Sequence, residues 1–242
     1  MILIKKKLFF YITILFLFFV FFVLMLEIKA YRIENKNLLF TLNTNILKPN
    51  KLILDVPYIN EAPDGNFTGN WKNACEEASM TMVEKYYLGE KSVSIDKTKK
   101  SMQKLFDYQN KIYGSNVNSD AQRTKDIIDN NLNYTATIIE NPSIEQIKKQ
   151  IQEKKPVITF HYGFDLHNPN IPFAVNGSYY HTMVVIGYDD KTKEFVTNDD
   201  GDQKNGANHR YGYDLFMNSL HDYDYLTHKT DGPPRVIFTS FK

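Results

Sequence analysis

Cys75, His181 and Asp199 are the residues whose types and settings could do chemistry together. Cys75 is the only cysteine in the chain and lies in the stretch Trp71-Lys72-Asn73-Ala74-Cys75-Glu76-Glu77-Ala78. Ala74, Ala78, Met82 and Tyr86 recur at a helical interval, with Val83 and Tyr87 widening the same face. Asn73 suits the N-cap and Gly89 stops the run, so Cys75 is expected in the first helical turn. Unpaired backbone N–H groups and the positive dipole end favour a thiolate there. A thiolate is the nucleophile a covalent hydrolase needs. Glu76 and Glu77 stand beside it, and their charge opposes ionisation unless they point away.

His181 opens the run HTMVVIGY, and Asp199 ends the next strand after the turn Asp189-Asp190-Lys191-Thr192-Lys193. Adjacent antiparallel strands place such residues side by side. The imidazole could then take the thiol proton while the carboxylate orients the ring. Each residue also has a structural reading: a core cysteine, a strand-end histidine bound to backbone, and an Asx turn in NDDG. It is the three together that favour chemistry. His161, His167 and Asp165 match no standard zinc spacing, so neither a metal nor a cofactor is expected. Trp71 and the pair Tyr179-Tyr180 could line a substrate groove or be ordinary half-buried aromatics.

The elements that must position these groups follow from the pattern. Leu52–Tyr58 reads as extended, and residues 60–70 as a Gly/Asn/Pro loop before the cysteine helix. Helices are expected around Asp96–Tyr108 and from Ser119 or Asp120 to Asn131. A further helix runs from Ser143 to Lys154, opened by a Ser143/Gln146 capping box. Strands are expected at Tyr134–Glu140, Pro156–Tyr162, His181–Tyr188, Glu194–Asn198 and Arg235–Phe241. Residues 163–180 and 199–209 read as loops, and Tyr213–Asp222 as a helix. Helices first and a mostly antiparallel sheet second make an α+β fold.

Composition sets the limits. Hydrophobic content of 43% and charged content of 24% are globular values. The first 30 residues hold four Lys and one Glu, which leaves 25 basic and 27 acidic groups elsewhere. That mildly acidic remainder argues against a nucleic-acid partner. A single cysteine allows no internal disulfide. Lys5-Lys6-Lys7 precedes the uncharged run Leu8–Leu26, whose 19 residues would span roughly 28 Å as a helix. With only Ile28-Lys29-Ala30 as a cleavage site, an uncleaved anchor is preferred to a signal peptide. The lysines should stay cytoplasmic, placing the rest outside the membrane. The division expected is thus 1–30 anchor, 31–50 polar tether and 51–242 folded domain.

The segments VPYINEAPDGNFTGNWKNACEEASMTMV, HTMVVIGYDDKTKEFVTNDDG and RYGYDLFMNSLHDY resemble the family-39-like cysteine peptidases. That group is related to the peptidases that cut bacteriocin leaders after double glycine. The resemblance implies a papain-like fold over residues 51–242, with Cys75 as nucleophile, His181 as general base and Asp199 as the orienting acid. Asp200 stands where the family has proline, which keeps Asn198 open as the third residue. Glu61 occupies the place of a Gln whose amide helps hold the oxyanion. An ionised carboxylate has no N–H to give and would repel that charge. Asn60 could supply an amide if the loop register shifts by one. The expected function is a membrane-tethered extracytoplasmic thiol hydrolase, a peptidase or amidase acting on peptides or cell-wall peptide stems. The rival is a weak or inactive papain-like binding module.

Overall fold

A computed structural model of the chain describes residues 15, 19–36, 49–116, 118–171, 179–202 and 204–242. The chain divides into two compact units, residues 1–49 and 50–242. In the first, residues 19–36 are helical, so the helix runs through positions 31–36, where the sequence reads as polar tether. Among the described residues no helix is long and apolar enough to cross a membrane. Most of the Leu8–Leu26 run, residues 8–14 and 16–18, lies outside the described residues.

The second unit is α+β. Its sheet has seven strands: β1 Lys51–Ile53, β2 Tyr134–Glu140, β3 Val157–Tyr162, β4 Tyr180–Asp189, β5 Glu194–Asn198, β6 His209–Gly212 and β7 Arg235–Phe241. Their order is β2-β7-β3-β4-β5-β6, with β1 pairing β4, and every pairing is antiparallel. β4 is the axis. All ten of its residues are buried. β3 takes Tyr180–Val185, and β1 takes Gly187–Asp189 along the same edge. A register shift between Val185 and Gly187 separates the two pairings with β5. Gly187 is required there, because a Cβ would lie 2.5 Å from the Leu52 carbonyl oxygen.

Among the described residues the helices of this unit are α1 Cys75–Tyr87, α2 Ile95–Tyr113, α3 Ala121–Asn131, α4 Ile144–Gln152 and α5 Tyr213–Asn218; α2 packs on α1 and α3. The first nine residues of α1 are all buried, the mark of a helix enclosed on every side. α1 packs on β4, which is how the sequence brings Cys75 towards His181. α2 is amphipathic and starts at Ser94, whose side chain accepts from Lys97 N. Asp120 caps α3 by accepting from Arg123 N at 2.8 Å, and the Ser143/Gln146 capping box opens α4 as its spacing predicts.

Three local expectations are corrected. The N-cap of α1 is Ala74, with no side-chain cap, while Asn73 closes a 3-10 turn over Gly69–Lys72. The helix expected to reach Asp222 stops at Asn218. The loop expected to reach residue 209 ends one residue earlier, where β6 begins at His209 and pairs β5 through Phe195–Tyr211 and Thr197–His209.

Candidate active site

Four pieces of chain supply the site. α1 brings Cys75 and Glu76 at its first two positions. β4 brings His181 as its second residue, and Asp199 and Asp200 follow the last residue of β5. Glu61 comes from the loop after β1 and is tied to this turn by its backbone N–H, which donates to the Asp200 carbonyl at 3.2 Å. All are buried: Cys75 is 5% exposed, Glu61 8%, and the others 2% or less.

His181 Nε2 lies 2.8 Å from Asp199 Oδ1. The other Asp199 oxygen accepts from the Tyr211 hydroxyl at 2.5 Å and from the Asn168 amide at 3.3 Å. The carboxylate is therefore clamped on both sides. Burial would raise its pKa, but His181 and the hydrogen bonds from His181 and Tyr211 hold it down at about 2. For His181, burial opposes the cation. Asp199, Glu61 and Glu76 outweigh it and keep the ring above its ordinary value. Gly201 passes close over this ring, and a Cβ there would meet Cε1 at 2.8 Å. Asn198 is engaged elsewhere, giving its amide to Val56 O at 3.0 Å and accepting from Asn208 N. Of the two candidates for the orienting partner, Asp199 is thus the one that meets the histidine.

The thiol departs from expectation. A thiolate is favoured by helix position, yet burial, Glu76, Asp200 and Glu61 push the Cys75 pKa well above its ordinary value. Its Sγ donates to Glu76 Oε2 at 3.2 Å. The dipole loses because Glu76 and Glu77 do not point away into water. They are 1% and 0% exposed.

Glu61 is pushed up to about 8, chiefly by burial and further by Glu76 and Asp199. His181 and a hydrogen bond from the Ala74 backbone N–H pull the other way. Burial also raises Glu76, Glu77 and Asp200. The thiol thus sits among carboxyl groups whose charge burial disfavours. Asp200 Oδ2 accepts from Ser79 Oγ at 2.8 Å, while Oδ1 is buried without a partner.

Asn60 is engaged within its own loop. Its amide donates to the Tyr58 hydroxyl, and its Oδ1 accepts from Ala62 N. These residues, with Phe67, Lys204 and Gly206, line a cleft of about 540 Å³ that neither Cys75 nor His181 borders. His161 is a satisfied core histidine, bonded to Ser219 Oγ and Thr159 Oγ1 at 2.8 Å each. His167 ends the 3-10 turn Gly163–Leu166. Trp71 packs edge-on against Phe106 at 5.2 Å, and Tyr180 is buried. Tyr179 packs on Phe164. Sequence reasoning missed Tyr211 and Asn168. Tyr211 faces the site only through β6, and nothing in the motif HNPN marks Asn168 as a carboxylate donor.

A helix that opens on a buried cysteine thus packs on an antiparallel sheet whose β4 carries His181, paired with Asp199 just after β5. The pattern of the Peptidase_C39 like family matches residues 53–230, and the chain belongs to that family. Its α+β architecture fits the C39-like peptidase fold. Among solved structures, one that is similar is a candidate C39-like peptidase from Bacillus anthracis. It is 17% identical, with a TM-score of 0.49 over 78% of this chain and 96% of that one. No curated protein matches the chain.

Proposed function

We propose that the chain hydrolyses an amide bond through a thioester on Cys75, with His181 moving the proton and Asp199 orienting the ring. The observation that carries this reading is the buried 2.8 Å contact between His181 Nε2 and Asp199 Oδ1. Asp199 fixes the ring orientation, so that the ring can give its proton to the leaving amine. Glu61 then works in the place of the family's Gln. Below about pH 8 it is neutral, and a neutral carboxyl carries an O–H that can donate to a developing oxyanion.

The test is acylation. Full-length protein treated with a peptide nitrophenyl ester should gain one acyl group on Cys75, lost on Cys75→Ala and slowed at least about a hundredfold on His181→Ala. A Cys75 that stays unacylated from pH 5 to 9 would leave the rival reading, a papain-like binding module. One observation favours that rival: the thiol is enclosed and held in its protonated form.

The same proposal places the domain outside the cell on a membrane anchor formed by residues 8–26, next to peptide or cell-wall peptide substrates. Its support is the lysine cluster followed by 19 uncharged residues. Protease added to intact cells should then remove the domain and spare the lysine-rich end. A mature protein in the medium beginning near Tyr31 would rule out the anchor.

A further inference from the structure

Glu76 is an unusual carboxylate. Acidic residues in a first helical turn ordinarily face water, where the dipole and solvent both stabilise them. Glu76 is 1% exposed, and both of its oxygens are occupied. Oε2 receives the Cys75 thiol at 3.2 Å, and Oε1 receives the Ser119 backbone N–H at 2.6 Å. Ser119 is itself held in three ways. Its hydroxyl donates to Gln109 Oε1 at 2.6 Å, and its carbonyl accepts from the Tyr180 hydroxyl at 3.0 Å and from Thr124 Oγ1 at 3.1 Å. Tyr180 is the residue before His181 on β4, and its hydroxyl also reaches Asp222 Oδ1 at 3.0 Å. A hydrogen-bonded chain thus runs from the thiol through Glu76 and Ser119 to the strand that carries the histidine. The Ser119 N–H has no role in a helix or strand; it is spent on aiming one carboxylate at one sulfur.

We infer that Glu76 is a catalytic residue: its Oε2 takes the Cys75 proton as the sulfur attacks, so the resting nucleophile is a thiol on a carboxylate rather than a thiolate on an imidazolium. This rests on the hydrolase reading and adds a fourth group to it. In acylation the Sγ–C bond forms, the carbonyl electron pair moves to oxygen, and the thiol proton passes to Glu76 Oε2. As the intermediate collapses, the C–N bond breaks and the His181 imidazolium gives its proton to the departing amine. In deacylation His181 takes a proton from water while the hydroxyl adds to the thioester carbon. The C–S bond then breaks, and the sulfur recovers its proton from Glu76. Each cycle consumes one water and returns every group to its starting state. The charge balance is local: an imidazolium between the Asp199 and Glu76 carboxylates, with Glu61 neutral beside them.

The titratable groups that bear on Glu76 are Cys75 and Glu77 on its own helix, Glu61 from the β1 loop, Tyr180 and His181 from β4, Asp200 after β5, and Tyr225. A Glu76→Gln variant removes one negative charge and the proton acceptor while keeping the side-chain shape. Two readouts on the full-length protein should move in opposite directions. Alkylation of Cys75 by iodoacetamide at pH 7 should rise about tenfold or more, because a like charge beside the thiol is gone. Acylation by the peptide ester should fall about a hundredfold, the size of a general-base contribution. Glu76→Asp, which keeps the charge, should leave alkylation within about threefold of the unaltered protein. Alkylation that is unchanged or slower in a folded Glu76→Gln protein overturns the proposal. Faster alkylation with no acylation in any version keeps the thiol–carboxylate pair but removes the hydrolase reading beneath it. Should Glu76→Gln fail to fold, the thiolate absorbance of the unaltered protein decides. It should emerge only on the alkaline side, and a thiolate already formed at pH 6 overturns the inference.

Discussion

Glu61→Gln is expected to stabilise the protein above pH 8 and to leave it unchanged at pH 4.5. The Glu61 carboxyl moves from 4.5 to about 8 on folding because burial disfavours its charge. The folded state therefore holds a proton that the unfolded chain releases between those two values. Stability from the neutral form is complete below 4.5, declines through the interval and is lost once pH passes about 8. A displacement of this size corresponds to about 5 kcal/mol at its limit. For a domain of this length that is on the order of 10 °C in melting temperature. Gln can still accept from the Ala74 N–H and has no charge to release, so its pH dependence should lack this slope. The effect should also reach the thiol, since Glu61 is one of the charges that raise Cys75, Glu77 and Asp200. Above pH 8 the variant should acylate about tenfold faster, the gain from replacing a repelling charge with an amide donor. Melting curves for the two proteins that stay parallel from pH 4.5 to 9 would mean that Glu61 meets water. Slower acylation of the variant would mean that the carboxylate assists rather than opposes the oxyanion.

This expectation also shows where the sequence was readable. That Glu61 sits at the site is what the family resemblance implies; that it is neutral there is not, because burial is a property of the whole fold. The strand that carries His181 and the one that leads into Asp199 were legible for a local reason. Their β-branched runs and the charged turn between them specify a hairpin without help from elsewhere. The capping box of α4 is legible in the same way. β6 was not, because HRYG has little strand character of its own and pairs only once β5 offers an edge. The first turn of α1 misleads for a related reason. Cys-Glu-Glu at a helix start reads as a dipole-activated thiol flanked by solvated acids. The loop at Ser119 and the side chain of Gln109 convert those acids into buried hydrogen-bond partners from more than 30 residues away. The polar shell of Asp199 is assembled in the same non-local way, from Asn168 before β4 and Tyr211 on β6.

Asp199 carries the largest expected loss. In Asp199→Asn the amide can still accept from the ring, but the carboxylate charge that holds the imidazolium disappears. His181 is completely enclosed, so burial, already the largest influence on it, then prevails and its pKa should drop below the ordinary value. The ring loses its ability to protonate a leaving amine near neutral pH, and hydrolysis should fall by about 10³ to 10⁴, the cost of removing the orienting acid from such a site. A purely structural Asp199 would lower the melting temperature without moving the histidine, so the imidazole proton resonances of His181 give the discriminating titration. Stability changes with pH in a defined sense. Asp199 is depressed from 3.8 to about 2, so its contribution is present above 3.8 and lost as pH falls through about 2. His181 is raised, so its contribution is complete below 6.5 and lost as pH climbs through its folded value. The pair is therefore strongest between roughly pH 4 and 6.5, and Asp199→Asn should abolish the Asp199 slope and reverse the sign of the His181 one. Asp199→Ala is harsher. It takes the Asp199 acceptor from the Tyr211 hydroxyl and from the buried imidazole, while the Asn168 amide keeps Asp202, and should cost about 3–5 kcal/mol. A His181 titration that does not move in Asp199→Asn would remove Asp199 from the catalytic set, even though the two side chains touch.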